Sequence, residues 1–292
     1  MATEGYTLEG GAAIMKRKKI FGWLGTIFFS MVGILYIAPI IIVLINSFKQ
    51  KNHISLEPFK LPTKETWFGL GNYLSAINDY GFFEAVGWTV FITISSVLVI
   101  LVCTSMCAWY ITRVKGKFSS FMYTLCAFSM VVPFQMVMFT LALVSDRLQL
   151  NTPLGIIIIY LGFGAGLAVF MFCGFVKSIP LEIEEAAMID GCGALRTFFI
   201  IVLPIMKPTY ISVGILETMW IWNDFLLPYL VLDTRKYKTI SIVVQYMKGS
   251  YGRIDMGAIM AALIMAVIPV IIFYLACQKH IIKGVAAGAV KG

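Results

Sequence analysis

Long apolar stretches broken by short polar ones set the pattern of this chain. Six of them, at about 21–48, 85–112, 118–145, 152–176, 209–232 and 256–278, reach the ~20 residues that a helix needs to cross a bilayer. The pattern predicts an all-α, polytopic membrane protein with six transmembrane helices. Met15-Lys16-Arg17-Lys18-Lys19 stands just before the first span, and Arg113, Lys115 and Lys117 lie between the second and third. Such clusters stay on the cytoplasmic side, so both termini are expected there. The first apolar run is too long for a secretory signal and lacks a small-x-small cleavage pattern, so it reads as a retained helix. Arg235, Lys236, Lys238, Lys248 and Arg253 crowd the last external loop against this orientation, but a long loop translocates despite its charge.

Composition supports the membrane reading. Of 292 residues, 60% are hydrophobic and 13% charged, against roughly half and a quarter in soluble domains. The net charge of +8 suits a membrane protein and does not point to nucleic acid. Six cysteines are present without a Cys-x-x-Cys pair. They read as small buried hydrophobes rather than a disulfide framework or zinc site. Two external loops, at about 49–84 and 233–255, stand out. Asn72-Tyr73-Leu74 and Phe82-Phe83 in the first read as short interfacial helices. Thr239–Val244 in the second is a β-branched run of strand type, followed by turn signals at Gly249 and Gly252. Either loop can meet an extracellular partner or serve as a lid or connector.

One polar hairpin interrupts the apolar pattern, from Glu185-Ala186-Ala187 to Pro208. Pro180 suits the first turn of a short helix, and Glu182, Glu184 and Glu185 sit near its positive end. Ile183, Ala186, Ala187 and Asp190 share a face by i, i+3, i+4, i+7 spacing. Gly191 and Gly193 can supply the left-handed backbone that ends the helix. A second helix is expected from about Leu195 to Leu203, closed by Pro204, with re-entry into the membrane at Pro208. The result is a compact helix–turn–helix knob with the shape of a docking element. A helix lying on an anionic lipid surface would carry Lys and Arg on its polar face, whereas this one carries acids.

The spaced set Glu185-Ala186-Ala187, Asp190-Gly191, Leu203-Pro204 and Pro208 resembles the EAA loop of ABC-importer permeases. The resemblance implies a type I ABC-importer permease fold. It also implies that Glu184, Glu185, Ala186, Ala187, Asp190, Gly191, Leu203 and Pro204 couple the membrane helices to a cytosolic ATPase. The chain would divide into residues 1–84 (a mobile polar arm of about fifteen residues, the first helix and an external loop), a permease core at 85–278 containing the coupling loop at 178–208, and a cytosolic tail at 279–292.

Span five carries Glu217 and Asp224 seven residues apart, hence on one helical face. Ionisable groups at membrane depth face a cavity or a partner. Trp220, Trp222 and Asn223 beside them are residue types that sugar sites use. Two roles stay open for Glu217, Trp220, Trp222, Asn223 and Asp224: lining or gating a pathway, and fixing helix packing.

Trp222-Asn223-Asp224-Phe225 with Pro228, the Leu150-Asn151-Thr152 turn, and the Gly288–Gly292 terminus together narrow the resemblance. They are similar to carbohydrate importers, and more closely to the MalG-like family, the second permease subunit of maltose-type systems. Membership implies a multi-pass protein of a prokaryotic cell membrane that passes a sugar or oligosaccharide from an extracellular solute-binding protein. Its partners would be a second permease in a heterodimer and two ATPase subunits, which bind the ATP and Mg; this chain would bind no cofactor. Gly288, Lys291 and Gly292 would contact the ATPases. In that family the partner permease can carry most of the sugar contacts.

No Gly-x-x-x-x-Gly-Lys-Ser/Thr loop is present, so ATP hydrolysis is not expected here. Polyamine, phosphate or amino-acid import is the alternative within transporters. An intramembrane enzyme is the competing class. With His53 and His280 the only histidines, and Glu217 and Asp224 about 10 Å apart along a helix, that class has little to build on.

Overall fold

The computed structural model describes residues 5–249 and 254–289, with side chains described for 22–249 and 254–279. Among the described residues every regular element is helical, and the one β-bridge is isolated, between Lys49 and Trp67. Contacts divide the chain into two units: Met1–Ser75 with Asp255–Ile264, and Ala76–Ile254 with Met265–Gly292.

In the first unit, α1 (Gly5–Ser47) holds span one. The polar arm expected at the N-terminus is instead helical from Gly5, because extending an existing helix adds a hydrogen bond for each residue fixed. Two short helices, α2 (Lys51–Leu56) and α3 (Gly71–Asn78), fold back on the end of α1. Buried Asn72 ties them together: its Nδ2 donates to the Ser47 and Lys49 carbonyls, both at 2.8 Å. Phe48 stacks on Trp67 with centroids 5.3 Å apart. A methyl group at Gly257 would run into the Asn72 amide, so the close approach there requires glycine.

The second unit is built on α4 (Phe82–Arg113) and α7 (Pro153–Val176), the two long helices that pack together along their length. Thr152 caps α7 by accepting from the Gly155 N–H at 3.1 Å, with Pro153 at the first helical position, where no donor is needed. Ile100, Ala108, Ile156, Tyr160, Phe172, Phe198, Val202 and Val213 form the core between these helices and their neighbours.

Among the described residues, four helices are long and apolar enough to cross a membrane, and two bent pairs bring the number to six if each pair is one span. The third expected span is one of these pairs. Its halves, α5 (Lys117–Ser129) and α6 (Phe134–Arg147), meet at 106°. Pro133 stands at the break; it cannot donate to the preceding turn, and its φ of −64° and ψ of 136° start a new helix direction.

After α8 (Leu181–Ile189), the hairpin's second arm runs from Ala194 to Ile205 as α9 (Ala194–Thr197), a π-helical turn (Phe198–Val202) and α10 (Leu203–Ile205). Pro204 therefore does not close the arm. The Leu203 N–H reaches five residues back to the Phe198 carbonyl, and Pro204 falls in the first turn of α10, where its missing donor is harmless. The chain bends instead by 79° at Met206, entering α11 (Lys207–Asn223). Span five also stops earlier than its apolar run. Asp224 is extended, and a short α12 (Leu226–Val231) follows.

The β-branched run at Thr239–Val244 is not a strand. It forms α13 (Ile240–Tyr246), because burial of Ile240, Ile242 and Val243 outweighs their intrinsic preference. The Ile240 N–H donates to Thr89 Oγ1 of α4 at 2.9 Å. Phe82-Phe83 begins α4 itself rather than a separate interfacial helix. The last helix, α14 (Met256–Ala289), runs through most of the expected tail. Of the cysteines, Cys173 alone is buried; Cys103 is exposed and the other four are half-buried, all as free thiols.

Candidate functional site

The hairpin at 181–205 owes its shape to a helix end that the sequence encodes locally. The Gly191 N–H bonds to the Met188 carbonyl at 3.0 Å and the Cys192 N–H to the Ala187 carbonyl at 2.9 Å. These nested bonds around Gly191, whose φ is +82°, make a Schellman stop. Gly193 is not left-handed; with φ −71° and ψ 164° it precedes the second arm as its N-cap.

One side of α8 is fixed inward by Glu184, which is 1% exposed. Arg113, the last residue of α4, donates to Glu184 through Nη2 at 2.7 Å and Nε at 3.0 Å, and Trp109 Nε1 donates at 3.0 Å. The same Nη2 reaches the Ile179 carbonyl at 2.9 Å. A carboxylate so surrounded has both oxygens satisfied, which is what permits its burial. Ala187 is buried beside it, at 7% exposure. Glu185, Ala186 and Asp190 face outward, together with Ile183, Met188 and Ile189. Leu195, just beyond the turn, adds to this apolar surface. The expected coupling residues thus separate: Glu184 and Ala187 anchor the hairpin, while Glu185, Ala186, Asp190 and Gly191 are presented. Leu203 is partly buried against the core, and Pro204 is exposed. Arg113 and Trp109 escaped the sequence reading because they lie 71 and 75 residues from their partner.

The span-five residues do not form one cluster. Glu217 (2% exposed) and Trp220 turn toward α7, where Trp220 packs edge-on to Tyr160 with centroids 5.5 Å apart. Tyr160 donates to Asp224 Oδ2 at 3.0 Å. Asp224 Oδ1 accepts the Leu226 N–H at 3.0 Å and so caps α12. Trp222 points elsewhere, into an apolar cavity of about 440 Å³ bounded by α4 and by Pro269, Val270 and Phe273. Asn223 is exposed, and its amide donates to the Met219 carbonyl of its own helix at 2.7 Å. Gly288 lies in α14, but its surroundings, and Lys291 and Gly292, fall outside the described residues.

On the loop side, Glu84, Arg235, Lys236, Lys238 and Tyr246 border a cavity of about 280 Å³. Asp233 braces it: Arg235 Nε donates to its carboxylate at 3.0 Å and holds it below the usual carboxylate range.

Comparison with known proteins identifies the family. The sequence is 36% identical over 277 residues to the probable starch degradation products transport system permease protein AmyC of Thermoanaerobacterium thermosulfurigenes, covering 95% of this chain and all of that protein. It is 34% identical to the multiple sugar-binding transport system permease protein MsmG of Streptococcus mutans, covering 94% of this chain and 99% of that one. In fold it is similar to a chain in the crystal structure of a bacterial ABC transporter involved in the import of the acidic polysaccharide alginate. That likeness has a TM-score of 0.76 at 21% identity and covers 90% of this chain and 97% of that one. The type I permease fold is thereby established. Family-wide matching extends over residues 100–287, from the middle of α4 through the hairpin and span five into the tail. This chain belongs to the binding-protein-dependent transport system inner membrane component family: it is a membrane permease subunit of an ABC importer, and not an enzyme.

Proposed function

We propose that this chain is one of two different permease subunits through which a sugar or oligosaccharide crosses a prokaryotic cell membrane. An extracellular binding protein delivers the solute, and two cytosolic ATPase subunits carry the ATP and Mg. Both termini lie in the cytoplasm. The observation that carries the coupling role is the two-sided construction of α8. Arg113 and Trp109 hold Glu184 from within, and the opposite side offers Glu185, Ala186 and Asp190 beside exposed Ile189. Closure of the ATPases would push on this exposed side, and the Glu184 anchor would pass the displacement to α4 and so to the packed helices α7 and α11. Alternating access follows if the two stable packings of these helices open to opposite sides.

The sugar class is supported by the relatives' names, which specify starch degradation products and multiple sugars. The charged cavity at Glu84, Arg235, Lys236 and Lys238 suits the rim of a binding-protein contact, where polar groups set orientation. Gly288, Lys291 and Gly292 would meet the ATPases at the other end. Uptake by the complete importer in proteoliposomes tests the reading, with maltotriose, raffinose and spermidine as competing solutes. ATP-dependent accumulation of a saccharide supports it, and accumulation of spermidine alone overturns it.

A further inference from the structure

Glu217 sits ten residues into α11 from Lys207, about 15 Å along the helix and within the fifth apolar span. It is 2% exposed, and its Oε2 has no hydrogen-bond partner. The carboxyl lines a cavity of about 240 Å³ with Trp220, Phe163, Gly164, Leu167 and Leu216. Gly164 makes the room: a methyl group there would lie 3.0 Å from Glu217 Oε2 and 2.7 Å from Ile100 Cδ1. Trp220 is braced by Tyr160 on one side yet remains 41% exposed.

A carboxyl group opening toward lipid would be costly, and a buried acceptor without a partner costs more still. Such a group is retained where something polar visits it. Two aromatic side chains and an aliphatic wall around one acceptor match the make-up of a pocket for a pyranose ring, whose faces are apolar and whose rim is hydroxyl.

We propose that Glu217, Trp220 and Phe163 form a transient subsite for one ring of a neutral saccharide in transit. Glu217 accepts hydrogen bonds from ring hydroxyls, and the indole and phenyl side chains cover the ring's apolar surface. The subsite rests on the sugar-import reading above, and it gives this subunit a direct contact of its own with the solute.

The test uses the complete importer in proteoliposomes, with maltotriose and raffinose as labelled solutes and spermidine as control. Glu217→Leu and Trp220→Leu are each expected to raise the KM for saccharide uptake about tenfold or more while complexes assemble at wild-type yield. Glu217→Gln keeps a hydrogen-bond acceptor of the same shape and is expected to raise the KM less than Glu217→Leu does, because a ring hydroxyl can donate to the oxygen of either side chain. Uptake by Glu217→Leu at the wild-type KM overturns the subsite and leaves the sugar reading intact. Reduced assembly of the Leu and Gln variants alike also overturns it, assigning Glu217 to contact with the partner permease. Spermidine uptake without saccharide uptake in the wild type overturns the sugar reading and the subsite with it.

Discussion

Arg113 closes on Glu184 with two guanidinium nitrogens, at 2.7 and 3.0 Å, joining the C-terminal end of α4 to the hairpin helix α8. The side chains are 18% and 1% exposed, so the pair is largely withdrawn from solvent. Nothing else among the hydrogen bonds described ties a side chain of α8 to α4 except the Trp109 contact to the same carboxylate. The first arm of the hairpin is therefore hydrogen-bonded to α4 at one carboxylate, while Phe198 of the second arm packs against Trp109 with centroids 5.5 Å apart.

Removing one member of such a pair leaves the other charge buried, a penalty of ~3–5 kcal/mol. Glu184→Ala and Arg113→Leu should both loosen the hairpin without preventing membrane insertion. Trypsin cleavage after exposed Arg196 is expected to accelerate in each variant, and ATP-dependent uptake to fall at least tenfold. Cleavage at the wild-type rate with normal uptake would show that the anchor does not matter.

Gly191 separates backbone demand from contact demand. Its φ of +82° disfavours any L side chain, yet a Cβ built there meets nothing within 4 Å in this chain. Gly191→Val should strain the turn by about 1–2 kcal/mol, whereas Gly191→Asn is tolerated in that conformation. If conformation alone matters, the Asn variant transports normally. If the ATPase packs directly on this position, both variants lose ATPase copurification.

Asp224 binds Tyr160 and caps α12 at once. Asp224→Leu should cost ~1–3 kcal/mol and lower the yield of assembled complex. Asp224→Asn retains the capping oxygen and should assemble normally, with a thermal midpoint between the two. Equal midpoints for all three proteins would refute the capping role.

Lys49 is 1% exposed and donates to the Glu57 carbonyl at 2.7 Å. Burial pushes its pKa below the ordinary lysine value of 10.5, partly offset by the Glu57 carboxylate. The unfolded chain therefore holds this proton more tightly than the folded one. Stability is depressed while both states are protonated, and rises with pH between the lowered folded pKa and 10.5. The thermal midpoint of wild type relative to Lys49→Met should thus increase as the pH is raised toward 10.5. A constant difference over that interval would contradict it.

The positions of the spans, the helix stop at Gly191 and the capped start of α7 at Thr152-Pro153 were all determined by the sequence. Each depends on hydropathy or on hydrogen bonds within a few residues, so local order carries the information. The hairpin's place between spans was legible for the same reason. Tertiary structure decided the rest. The apolar runs at 118–145 and 209–232 read as unbroken because hydropathy ignores direction, yet Pro133 and Asp224 divide them. The β-branched Thr239–Val244 run reads as a strand by local preference, and burial against α4 makes it a helix. Glu184 looks like its neighbour Glu185 in sequence; only the packing of α4 and α8 brings Arg113, 71 residues away, to one of them and leaves the other outside. Glu217 and Trp222 likewise share a motif but face different cavities, because a helix turns its residues apart at angles that matter only once its neighbours are in place.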